Sequence, residues 1–281
     1  MNCQTIARRI LAVGLYLVIV ATAAAQPASP VRALMEESGL VTQSAGLDQA
    51  FRKMVVDAAK KLPELPPEHL EPLADISADI VTTERYLADV ERALTDILTE
   101  TQIAAMREFY GSHLGQTALR AEIAGASQEM VDEIDSTGEA LRAQARRDSE
   151  RTALMRRLDE QFSYSEGSVD WFQMADEIVA SAALKAQFPD TPPEDFATLR
   201  SRIASQRDSL VEAMREQATA SFTRIYRDLS TSELKAYAEF LEAGPGAEFY
   251  AAYHVANRRI IEQCVEEIQT RFAKYMNQKK A

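Results

Sequence analysis

Glycine and proline are scarce, ten of each in 281 residues, which excludes long flexible or Pro-rich linkers. Strand formers do not gather into alternating runs, so a sheet is not expected to organise the chain. Ala, Glu, Arg, Leu and Gln dominate, and these residues favour helix. Cysteine is nearly absent. Cys3 lies at the extreme amino terminus and Cys264 stands alone, so an intramolecular disulfide is not expected once the terminus is removed. Ile260 and Ile261 share the helix face of Cys264, which predicts a thiol at least partly buried in packing. Cations are outnumbered, 31 Lys and Arg against 43 Asp and Glu, for a formal net charge of −12. That balance disfavours nucleic acid and anionic lipid headgroups as partners. Histidine is equally sparse: His69, His113 and His254 sit in unlike contexts, and a structural zinc site needs about four ligands, so no metal is expected. No Gly-rich phosphate loop or dinucleotide fingerprint occurs, and no cofactor is expected.

One long apolar run is present. Arg8 and Arg9 precede Ile10–Val20, an uncharged stretch of 11 residues, and Ala23, Ala24 and Ala25 follow it. Spanning a bilayer takes about 20 residues. The arrangement therefore reads as a cleavable secretion signal over 1–25, cut after Ala25. A retained anchor is the alternative. Cys3 precedes the apolar run, which is the wrong order for a lipoprotein. Export predicts a periplasmic location if the source is Gram-negative, with no stable membrane insertion after cleavage.

The rest of the chain repeats itself. At an offset of 131, Leu98 meets Leu229, Thr99 meets Ser230, Ile103 meets Leu234, Glu108 meets Glu239, Phe109 meets Phe240 and Gly115 meets Gly246. Upstream, 65–73 resembles 191–199, and Ala33-Leu34-Met35 matches Ala153-Leu154-Met155. The ordered anchors predict two tandem helical units, so the expected organisation is a signal over 1–25, a first unit over 26–131, a connecting helix over 132–151 and a second unit over 152–281. Within the units, helices are expected over 51–62, 68–95, 171–188 and 194–227. Thr99 with Gln102, and Ser230 with Glu233, both fit the capping box. Each predicts a helix start, with the helix ending near Gly111 or Gly244. Ser112 caps the next helix in the first copy, and Pro245 sits in its first turn in the second.

Leu98, Thr99, Gln102, Ile103, Phe109, Tyr110, Ser112 and Gly115, with Leu229, Ser230, Glu233, Leu234, Phe240, Pro245 and Gly246, form a motif that resembles the domain of unknown function 2059 family of exported bacterial proteins. His113 stands where that pattern has Pro, and Leu241 where it has Tyr. The motif covers about 20 residues per copy. The resemblance implies an all-helical secreted fold and carries no activity or catalytic residue. The motif positions Thr99, Gln102, Phe109, Gly115, Ser230, Glu233, Phe240 and Gly246 are thus structural candidates. Gly115 and Gly246 are expected either to let two helices approach closely or to supply a positive φ.

Catalytic patterns are weak. Gly111-Ser112-His113-Leu114-Gly115 is not G-x-S-x-G and follows no strand, so Ser112 reads as a cap rather than a nucleophile. Carboxylates such as Asp132, Glu133, Glu266 and Glu267 lie in charge-rich helices and read as solvated faces. Trp171, Phe172 and Met174, and the group Tyr226, Tyr237, Phe240, Phe249, Tyr250 and Tyr253, read as core and inter-repeat packing, with a groove for a partner helix or lipid as the alternative. The whole predicts a non-enzymatic protein that binds an unknown protein partner in envelope maintenance. The alternative is a carrier of a lipid or small apolar ligand in a cavity between the units.

Overall fold

The computed structural model describes residues 29–62, 65–188 and 193–280. The proposed signal, its cleavage point after Ala25 and Cys3 lie outside the described residues. Among the described residues the protein is all-α, with no strand. No helix among them is long and apolar enough to cross a membrane. The helices are α1 (Pro30–Glu37), α2 (Leu40–Gln43), α3 (Leu47–Ala59), α4 (Pro67–Ile80), α5 (Thr83–Ile97), α6 (Glu100–Gly111), α7 (His113–Gly125), α8 (Gln128–Ala145), α9 (Ser149–Phe162), α10 (Tyr164–Gln187), α11 (Pro193–Ala204), α12 (Arg207–Ile225), α13 (Thr231–Glu242) and α14 (Gly244–Lys280).

Three expected helices are divided. The run over 68–95 breaks at Val81, whose ψ is 68°, and the Thr82 hydroxyl accepts from the Arg85 N–H at 3.2 Å to start α5. The run over 194–227 breaks between α11 and α12, where the Ser205 hydroxyl donates back to the Arg202 carbonyl at 2.7 Å. The connecting helix over 132–151 also stops early. Gly138 does not interrupt α8, but Asp148 caps a new helix by accepting from the Arg151 N–H at 2.9 Å. In each case one short polar side chain competes for backbone hydrogen bonds inside a stretch of good helix formers.

Compact packing does not follow the two sequence halves. One compact unit comprises Gly46 and the described residues before it, Leu87–Ser165 and Glu212–Ala256. The other comprises Leu47–Tyr86, Glu166–Val211 and the described residues from Asn257 on. Each unit takes segments from both halves, so the expected boundaries at 131 and 152 are not the boundaries of the compact units.

In the first unit, α1 packs on α6 and α9 packs on α13. Ser29 caps α1 and Asp148 caps α9. Leu34 and Met35 are buried on α1, as their sequence matches Leu154 and Met155 are on α9. The two helix pairs are also tied by ion pairs of opposite polarity: Glu37 on α1 meets Arg107 on α6 at 2.6 Å, and Arg157 on α9 meets Glu242 on α13 at 2.5 Å. Such partly exposed pairs fix orientation more than they stabilise. In the second unit, α3 packs on α4. Phe51 and Tyr86 meet the Trp171 ring edge-on at 5.7 and 6.1 Å, within the range of favourable aromatic contact. Cys264 is buried, in no disulfide among the described residues.

Candidate functional site

The motif residues build two corners, one between α6 and α7 and one between α13 and α14. Thr99 Oγ1 accepts from the Gln102 N–H at 3.3 Å, while Gln102 Oε1 accepts from the Thr99 N–H at 2.7 Å. Ser230 and Glu233 repeat this at 3.2 and 2.8 Å. Hydrogen bonds from Ser230 hold the exposed Glu233 carboxyl below its ordinary range. Each helix then buries residues at i, i+3 and i+7: Ile103, Met106 and Tyr110 on α6, Leu234, Tyr237 and Leu241 on α13. Phe109 and Phe240 stand beside that face and are half-buried. They stack on one another with centroids 3.7 Å apart and planes 7° from parallel.

The glycines answer to sterics. Ser112 caps α7 by accepting from the Gly115 N–H at 3.1 Å. A Cβ on Gly115 would lie 2.1 Å from the Phe109 carbonyl oxygen, and one on Gly246 would lie 2.3 Å from that of Phe240. Neither has a positive φ; that role falls to Gly244, at φ 51°. Close helix approach is therefore the reason for glycine at 115 and 246.

Beside this joint lies a carboxylate that no motif marks. Glu122 on α7 accepts the hydroxyls of Tyr226 and Tyr237 on one oxygen, at 2.9 and 2.7 Å. A second hydroxyl pair, Tyr110 with Tyr250, stands 3.0 Å apart. Burial pushes the Glu122 carboxyl up to about 7, against the lowering effect of its two tyrosine donors. Burial, then the Glu122 charge, drives Tyr226 and Tyr237 well above the ordinary phenol range. Of the aromatic residues singled out in the sequence, Tyr226, Tyr237 and Phe249 are buried, while Phe240, Tyr250 and Tyr253 are half-buried. The sequence does carry a signal for Glu122: Ala118, Leu119 and Gly125 are buried on α7, and Glu122 falls among them at helical spacing.

The second unit holds a cleft of about 380 Å³. Its apolar lining includes Leu73 of α4, Ile178 and Ala182 of α10, Phe196 of α11, and Ile268 and Phe272 of α14. Lys185 lies 5.4 Å over the Phe196 ring. Arg200, one turn beyond Phe196, also lines the cleft and donates Nε to Glu177 at 2.6 Å. Gln269 donates to Glu177 and Ser181 at 3.3 and 3.2 Å. None of these residues stands out in the sequence, because the cleft joins segments about 200 residues apart (Leu73 to Phe272) and α11 alone shows no motif. No group of three or more His, Cys, Asp or Glu among the described residues is placed to hold a metal. Comparison with known proteins adds no relative: no family model, no curated protein and no solved structure matches the chain.

Proposed function

We propose that this is an exported, non-enzymatic helical protein that binds a small apolar or amphipathic ligand in the cleft of its second compact unit. The observation that carries the reading is the cleft itself. Its volume falls within the roughly 300–1,000 Å³ of ligand sites, and such sites combine an apolar lining with a few polar groups. Export rests on the signal over 1–25, and the resemblance to the domain of unknown function 2059 family agrees with a secreted helical protein. The non-enzymatic reading rests on the sequence, in which no catalytic pattern was found. Protein-partner binding receives less support. The exposed large apolar residues among those described, Ile97, Phe188 and Val255, stand on three separate segments.

The test is organic extraction of protein purified from its exported pool, followed by mass spectrometry. A stoichiometric apolar compound is expected from the parent and not from Thr270→Trp, which places a large ring at an exposed position on the cleft wall. Equal recovery from both, or no ligand together with no uptake of added amphiphile, would refute the proposal.

A further inference from the structure

We infer that the ligand is a single-chain amphiphile with a carboxylate head, its chain on the apolar floor and its head at Arg200 beside Lys185. This rests on the ligand-binding reading above and goes on to name the ligand's chemistry.

The argument starts from donors. Ser181 gives its hydroxyl hydrogen to the Ile178 carbonyl at 3.0 Å, and Thr270 gives its own to the Glu266 carbonyl at 2.8 Å. The Gln269 amide is committed to Glu177 and Ser181. Arg200 meets Glu177 through Nε, and its terminal nitrogens make no further hydrogen bond among the described residues. A guanidinium carries five N–H donors in a planar fork, so this side chain keeps donors to spare at the cleft. A carboxylate matches such a fork with two parallel hydrogen bonds, whereas a hydroxyl can use only one of them.

Position and charge agree with this. Phe196 and Arg200 are four residues apart on α11 and therefore share a face. Lys185 covers the Phe196 ring from α10. The ring under Lys185 therefore shares its helix face with Arg200. Two carboxylates stand near: Glu177 already pairs with Arg200 but takes only its Nε, and Glu266 is exposed on α14, where water and salt screen it. Arg200 is itself half exposed, so the head preference should be moderate rather than absolute.

Calorimetric titration of the full exported chain with decanoate, decanol, decyl phosphate and decylamine tests this. Decanoate is expected to bind about tenfold more tightly than decanol. Arg200→Gln should remove the difference between decanoate and decanol, decanoate losing about tenfold and decanol, which uses a single donor, much less. Because Arg200 is on the surface, a helical circular-dichroism spectrum and melt like the parent's should accompany that loss. Equal binding of decanoate and decanol would overturn the head assignment while leaving an apolar cleft. Tighter binding of decylamine would overturn it in favour of a cation, and much tighter binding of decyl phosphate in favour of a phosphate. Failure of all four probes would remove the ligand-binding reading and this inference together. Decanoate binding that survives both Arg200→Gln and Thr270→Trp would place the site elsewhere.

Discussion

At the scale of single residues, the strongest constraints are steric and electrostatic. A side chain at 115 or 246 would collide with a backbone carbonyl of the preceding helix, and a carbonyl cannot rotate away as a flexible side chain can. Gly246→Ala should therefore cost about 1–3 kcal/mol, as overpacking does, although alanine is the better helix former. A thermal melt decides it, and a Tm at or above the parent's would show that the corner can open without loss. Phe240 calls for a smaller number than a buried ring. It is half-buried and its main partner is Phe109, so Phe240→Ala should cost less than the roughly 3–5 kcal/mol of a core phenylalanine. A double-mutant cycle with Phe109→Ala should return a coupling of about 1 kcal/mol.

Glu122 makes the residue-scale prediction with a pH sign. Its carboxyl titrates at about 7 in the folded chain against 4.5 as a free group, so the folded state holds the proton more tightly than the unfolded one. The associated stability is fully present below about pH 4.5 and is lost as pH rises through 7. At about 1.4 kcal/mol per pH unit the loss amounts to about 3 kcal/mol. Asp159 and Asp176 are also raised by burial, while Glu133 and Glu242 are lowered by hydrogen bonds from arginines. The informative quantity is therefore parent minus Glu122→Gln, measured by urea unfolding at about pH 4, 6 and 8, which brackets the shift. The variant should gain on the parent as pH rises; a flat difference would mean that the carboxyl titrates in its ordinary range.

At the scale of elements, the two capping boxes are the same device used twice. Each satisfies two backbone donors at a helix start, on a helix packed against the one that carries Ala-Leu-Met. The two helix contacts carry ion pairs of opposite polarity, Glu37–Arg107 and Arg157–Glu242. Thr99→Ala and Ser230→Ala should each cost about 1 kcal/mol. The two losses should add in the double variant, because neither cap hydrogen-bonds to the other. Urea denaturation of the three variants gives the comparison; a negligible loss at one site would mean that this copy's cap is redundant. Hydrophobic period and caps make both helices legible in the sequence. The breaks at Val81, Ser205 and Asp148 are not, because a single Thr, Ser or Asp inside a run of good helix formers starts a new helix only when tertiary packing rewards the change of direction.

At the scale of the whole molecule, intact mass of the exported protein should show a chain beginning at Gln26. A retained Met1 would mean that the apolar run stays on the protein. The all-helical class, the cap residues, the corner glycines and the burial of Cys264 are legible in the order of the amino acids alone. They depend on local propensity and on short-range spacing, which a linear sequence carries. Three things were decided by tertiary structure: the interleaving of the two halves in each compact unit, the seat of Glu122 against Tyr226 and Tyr237, and the cleft between α4, α10, α11 and α14. Each joins residues far apart in the chain, 104 positions for Glu122 and Tyr226. No local pattern encodes such a meeting, because the free energy that creates it comes from burying whole helix faces together.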